Sequence, residues 1–257
     1  MAPVYADHPF KTLNTPIFLA KSENEKAESD VFDEIASEMV NVHNMFIRGL
    51  NSIYLQAPHI EPADEKLFAR YILGWYHGLH SHHAGEEKSF FPAVERMTGV
   101  QGIMDTNKDQ HEAFHDGFEA LQVYCKAVLA GTEKYDGAKL VGLVDGFAPV
   151  LVQHLNDEIP TILSLRKYGD KMDGLMKVLE DEAQEAMKDI GLGGMVCLFA
   201  NVDLKFENGM WTNWPPAPAP VLFLVKSILW WFYPERKFGA VDRAGNMQPL
   251  YAVPQTE

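Results

Sequence analysis

Three stretches of this 257-residue chain each set two metal-capable side chains four residues apart: His82 with Glu86, His111 with His115, and His154 with Glu158. On a helix, residues i and i+4 differ by only about 40° around the axis and by about 6 Å along it, so two such side chains can converge on one ion or span a pair. His43, alone on an earlier stretch, completes a set of five imidazoles and two carboxylates. Neutral imidazole favours Fe, Cu, Ni or Zn over Mg or Ca. A histidine-rich set with carboxylates suits two iron ions with one coordination position left open, with Mn or Zn as alternative occupants.

To act together these side chains must share one interior, and the apolar pattern around them puts them there. Ile35, Met39, His43, Phe46, Leu50 and Ile53 recur at steps of three and four, which predicts a helix with one buried face. Pro58 ends it, and Pro62 with its acidic neighbours opens a second helix that carries Phe68, Ile72, Trp75, Leu79, His82, Glu86 and Phe90. Met104, Asn107, His111, His115, Phe118, Leu121, Cys125 and Val128 predict a third, broken at Gly131. Leu140, Val144, Phe147, Leu151, His154, Glu158 and Ile162 predict a fourth, with the same succession of steps as the second. A single His-Glu pair is most often a solvated helix face. Three pairs on inward stripes are not, because burying such groups without partners costs on the order of several kcal/mol each.

Long helices with short connections pack antiparallel. The expected fold is therefore all-α, an up-down four-helix bundle over residues 28–168 preceded by an irregular segment, 1–27. Residues 169–257 differ in character. A charged helical segment near residues 171–190 leads into Gly191-Leu-Gly-Gly194, then PPAPAP, then an aromatic run with Trp230 and Trp231. This extension holds no histidine, so it is expected to cap the bundle and shape access to the metal more than to supply ligands.

Two competing assignments use the same residues. His83 with Glu87 repeats the pair one residue along, but its register leaves Trp75 off the line, so His82 and Glu86 are the expected ligands. His77, His80, His83 and Glu87 then point elsewhere on an ideal helix. HEAFH also fits the His-Glu-x-x-His zinc hydrolase motif with Glu112 as base, yet that reading leaves His43 and two inward His-Glu pairs unused. Ferritin-like sites need two Glu-x-x-His motifs, and only Glu112 with His115 has that spacing.

At these residues the chain resembles the hemerythrin-like, or HHE cation-binding, family. His43, the run HHAGEEKSFFP from His82 to Pro92, HEAFH from His111 to His115, and HLNDE from His154 to Glu158 follow the family's order. The resemblance implies a four-helix bundle around a non-heme di-iron centre. It implies as ligands His43, His82, Glu86, His111, His115, His154 and Glu158, with both carboxylates bridging. The oxygen-carrying hemerythrins place Asp five residues after the last histidine, whereas here Glu158 follows His154 by four, as in the broader HHE group. Oxygen transport is therefore not a direct implication.

Composition narrows the function further. A formal charge of −14 repels phosphate backbones, so no nucleic-acid partner is expected. Two cysteines are too few for a disulfide framework, and the N-terminal residues lack a signal-type apolar segment, which together predict a cytoplasmic, reducing location. The most apolar window, residues 221–233, contains Lys226 and falls short of the roughly 20 residues of a transmembrane helix. The expected ligand of the open position is O2 or another diatomic. Two functions follow: a redox enzyme, oxidase or oxygenase, spending O2 on a small organic molecule, or a carrier or sensor of O2, NO or iron without turnover. The aromatic extension, as a pocket wall, tips the expectation toward the enzyme.

Overall fold

In a computed structural model, residues 2–254 are described, and they form an all-helical protein with no strand among them beyond one isolated bridge between Val241 and Met247. Helix α1 (Pro16–Glu23) leads into α2 (Val31–Gln56), whose N-terminus is closed by a reciprocal capping box between Asp30 and Asp33. Helix α3 (Glu65–Gly85) passes through a π-helical turn, Glu86–Phe90, into α4 (Phe91–Thr98). Helices α5 (Asp105–Ala130) and α6 (Gly137–Ser164) complete the bundle, and α7 (Leu175–Phe199) follows. The expected all-α bundle is present.

Helix α6 packs on α5 and α2, and α3 packs on α5. By length and hydropathy α6 and the turn after it could cross a membrane. Its inward stripe, however, buries His154 and Glu158 completely, which marks it as the core helix of a bundle. Where α2 meets α3, Gly49 admits the Trp75 indole, since a Cβ there would lie 2.4 Å from Trp75 Cδ1. The indole N–H donates to the Phe46 carbonyl at 3.0 Å, so this close approach leaves no polar atom unpaired.

Two apolar clusters divide the interior. The larger gathers Phe46, Leu50, Trp75, Leu79, Phe118, Phe147 and Leu151; the smaller gathers Ile35, Met39, Phe90, Phe91 and Ile162. His43, His82, Glu86, His154 and Glu158 lie in sequence between members of the two, so the polar layer is held between dry layers.

The extension is built into this body. Helix α7 lies along α3, the most extensive helix pairing among the described residues, and also touches α2. It runs past the charged helical segment expected near residues 171–190, with a kink at Gly191. The aromatic run after it packs Val225 and Trp230 against Val196 and Phe199, while Phe223, Trp231 and Phe232 remain exposed.

Candidate metal centre

Each of the four bundle helices sends at least one imidazole to a single layer. From α2, the buried His43 donates through Nδ1 to the Leu155 carbonyl at 2.8 Å. That bond fixes the proton on Nδ1 and leaves Nε2 as the lone-pair atom, 3.3 Å from Glu158 Oε2. From α3, His82 stacks on Phe46 and brings its Nε2 to 3.2 Å from Glu86 Oε1. From α5, His111 donates through Nδ1 to Glu87 Oε1 at 2.7 Å, and its Nε2 faces His154 Nε2 at 3.0 Å and Glu86 Oε2 at 3.4 Å. From α6, His154 turns its Nδ1 to Gln110 Oε1 at 3.3 Å. Three of these imidazoles thus share one orientation, with Nδ1 anchored outward and Nε2 aimed at the centre.

Donor atoms fall into two groups. His83, Glu86, His111 and His154 offer ligand atoms all within 4.8 Å of one another, and so do His43, His82 and Glu86. Glu86 belongs to both. Glu158, against His43, supplies a second carboxylate beside the second group. The division is three imidazoles on one side and two on the other, with Glu86 placed between.

The chemistry of these atoms fits metal ions. Among the described residues, His43 Nε2, His82 Nε2, His83 Nε2, both Glu86 oxygens and both Glu158 oxygens are buried and find no hydrogen-bond partner. The approaches of 3.2–3.4 Å among them are proximity without hydrogen-bond alignment. Burial, followed by the neighbouring imidazoles, holds His82, His83 and His154 below the usual histidine range, so they are neutral, the form that binds a metal. Burial also lowers His111, with the bond to Glu87 opposing it. Burial, then the charge of Glu158, pushes the Glu86 carboxyl well up. Seven orphaned atoms in a dry layer cost more than most single mutations remove, and bound cations would satisfy them together.

Of the seven sequence-predicted residues, six come together in the structure and one does not. The structure brings together His43, His82, Glu86, His111, His154 and Glu158. It does not bring His115, whose side chain is 61% exposed beside Asp116. The inward stripe of α5 runs Asn107, His111, Phe114, Phe118, and so Phe114, not His115, follows His111 into the core. The same geometry dismantles the zinc hydrolase reading, because Glu112 and His115 both face away from the cluster.

His83 stands in its place. Its ring lies 4.3 Å from His111 and 5.1 Å from His154, buried against Phe114. Glu87, also set aside, anchors His111. Assigning one buried face to α3 was the error. Flanked by α2, α5 and α7, this helix buries several faces, so His82 points toward His43 while His83 points toward α5 and α6. The doubled HHxxEE run was the signal. Sequence reasoning also passed over Glu182, a buried carboxylate on α7 that burial and then Glu158 push up to about 8.

Comparison with known proteins agrees with this geometry. The hemerythrin HHE cation binding domain matches residues 34–165, which include every residue of the cluster. The chain is also similar to the dimeric xanthone biosynthesis cluster protein R11 of Cryptosporiopsis sp. (strain 8999), at 33% identity over 256 residues, 97% of this chain and 93% of that protein. No solved structure matches. The similarity to R11 runs through the extension as well as the bundle. With the bundle, the order of ligand-type residues and the family match in agreement, the chain belongs to the hemerythrin HHE cation-binding domain family.

Proposed function

We propose that this protein is a non-heme di-iron redox enzyme that uses O2 to oxidise a small organic molecule. The carrying observation is the division of donors, three imidazoles and two imidazoles around a shared Glu86, in a layer where seven buried polar atoms have no hydrogen-bond partner among the described residues. His83, His111 and His154 would hold one ion, His43 and His82 the other, with Glu86 between and Glu158 beside the second. When bound, an iron pair supplies electrons and an open position for O2.

The chain's own residues do the rest. Leu155, Glu87 and Gln110 fix imidazole orientation and tautomer. Phe46, Phe91 and Phe114 pack on the imidazole rings and exclude water from the layer. The xanthone relationship supports the enzyme over a carrier and makes a tricyclic aromatic ketone or phenol the first substrate class to try.

A second reading, an O2, NO or iron carrier or sensor without turnover, is favoured by one feature. The extension does wall a concave site of about 170 Å³, lined by Glu38, Met210, Trp211, Asn213, Trp214 and Pro216, but none of these residues belongs to the cluster. Anaerobic reconstitution with Fe(II), then O2 exposure with spectra and oxygen uptake recorded, separates the readings. Sustained uptake with a reductant or aromatic substrate is the expected result; one reversible binding event without turnover would establish the carrier.

A further inference from the structure

Glu182 is the acidic residue of the extension that reaches the site's neighbourhood. It lies on α7 with 5% exposure, and among the described residues no hydrogen bond or ion pair reaches its carboxylate. The carboxylate fills the space left by the missing side chain of Gly85, where a Cβ would come within 2.3 Å of Glu182 Oε1. Gly85 is the last residue of α3, directly before Glu86 and the π-helical turn, a local widening of the helix often found at functional sites. Electrostatic interaction links Glu182 with Glu86 and with Glu158.

Charge bookkeeping gives this contact a purpose. Two divalent ions bring four positive charges into a buried layer whose imidazoles are neutral. Glu86 and Glu158 offset two of those charges, and Glu87, through His111, a third. We propose that Glu182 supplies the fourth, as a positioning residue of the metal centre that acts across the gap at Gly85 and neutralises the site without ligating it. Glu182 belongs to neither donor group, which places it outside the ligand set. A largely buried acidic side chain with no partner among the described residues is what such a cation pair requires nearby, and here it comes from outside the four-helix bundle. The inference rests on the metal-centre reading.

The test uses the full chain, Fe(II) and a competing chelator. The E182Q variant keeps shape and removes charge; it should retain its helical circular dichroism, bind iron roughly 10–100-fold more weakly, and show a raised reduction potential. E182D, which keeps the charge, should recover most of the affinity. Wild-type affinity and potential in E182Q would overturn the proposal, as would E182D being as weak as E182Q, which would assign the effect to shape. If E182Q loses its fold while E182D keeps both fold and wild-type iron affinity, the charge is confirmed as the required feature. A wild-type chain that takes up no metal overturns the centre itself, and this result is distinct from the others.

Discussion

Helices α3 and α6 carry the same succession of inward positions, yet they contribute differently to the centre. Phe68, Ile72, Trp75, Leu79, His82, Glu86 and Phe90 on α3 and the π-helical turn that continues it match Leu140, Val144, Phe147, Leu151, His154, Glu158 and Ile162 on α6, step for step. One residue along, the two diverge. Where α3 has His83 and Glu87, α6 has Leu155 and Ile159. Helix α6 thus commits its second register to the core, while α3 uses it for a third imidazole of one donor group and for the anchor of His111. A repeated pattern locates the layer, and the register beside it decides how many ligands each helix gives.

The sharpest way to break this comparison is to remove the extra imidazole. His83→Ala should drop iron content from about two ions per chain to about one, whereas His115→Ala should leave both, because only the former lies among the donors. Elemental analysis after reconstitution reads the difference. Equal loss in both variants, or loss in His115→Ala alone, would restore the one-stripe reading of α3.

The counterpart position on α6 should behave in the opposite way. Leu155 is fully buried, and truncating it leaves a cavity, so Leu155→Ala should cost about 2–5 kcal/mol in urea unfolding of the metal-free chain. His83→Leu, which gives α3 the residue that α6 carries, removes an unpartnered buried imidazole and should raise metal-free stability by roughly 1–3 kcal/mol while it abolishes full iron loading. Destabilisation by both substitutions would mean that the two registers do not differ in kind.

How much of this was legible follows from the same pair of helices. The four bundle helices, their inward stripes and six of the seven clustered side chains could be read from periodicity, because hydrophobic burial imposes a period that side chains must obey to meet in one layer. His115 was misplaced because His111 can be followed inward by either i+3 or i+4. The aromatic Phe114 took the inward position, a choice made by packing between helices. His83 and Glu182 were hidden for a tertiary reason. Periodicity assumes one buried face, and nothing in the spacing of α3 says that α5 and α6 will bury the His83 face or that α7 will lie along the Gly85 face.

A smaller effect is expected where the second register of α3 acts indirectly. Glu87→Gln keeps a hydrogen-bond acceptor for His111 Nδ1 but removes its charge, and should weaken iron binding roughly 10-fold without loss of either ion. Chelator competition measures it. No change would assign Glu87 to the solvated face alone.

The smallest effect lies at the end of α6, where the role is structural. Arg166, just past that helix, pairs with Asp30 and Asp33 at the N-terminus of α2 and lowers the Asp30 carboxyl from 3.8 to about 2. A carboxyl lowered by folding contributes stability that is present above pH 3.8 and is lost as pH falls through about 2. The pair is half exposed and screened, so Arg166→Ala should cost less than about 1 kcal/mol at neutral pH and flatten that acid limb. Acid titration of the fold by circular dichroism would show it, with iron content unchanged.

The proposed two-ion centre has its donors divided between His83, His111 and His154 on one side and His43 and His82 on the other. Crystallography of the iron-loaded chain, with anomalous differences recorded at the iron edge, tests it most directly. Two peaks are expected, one ringed by His83, His111 and His154 and one by His43 and His82, with Glu86 reaching both and His115 reaching neither. A single peak, or a peak ligated by His115 with His83 turned away, would contradict it.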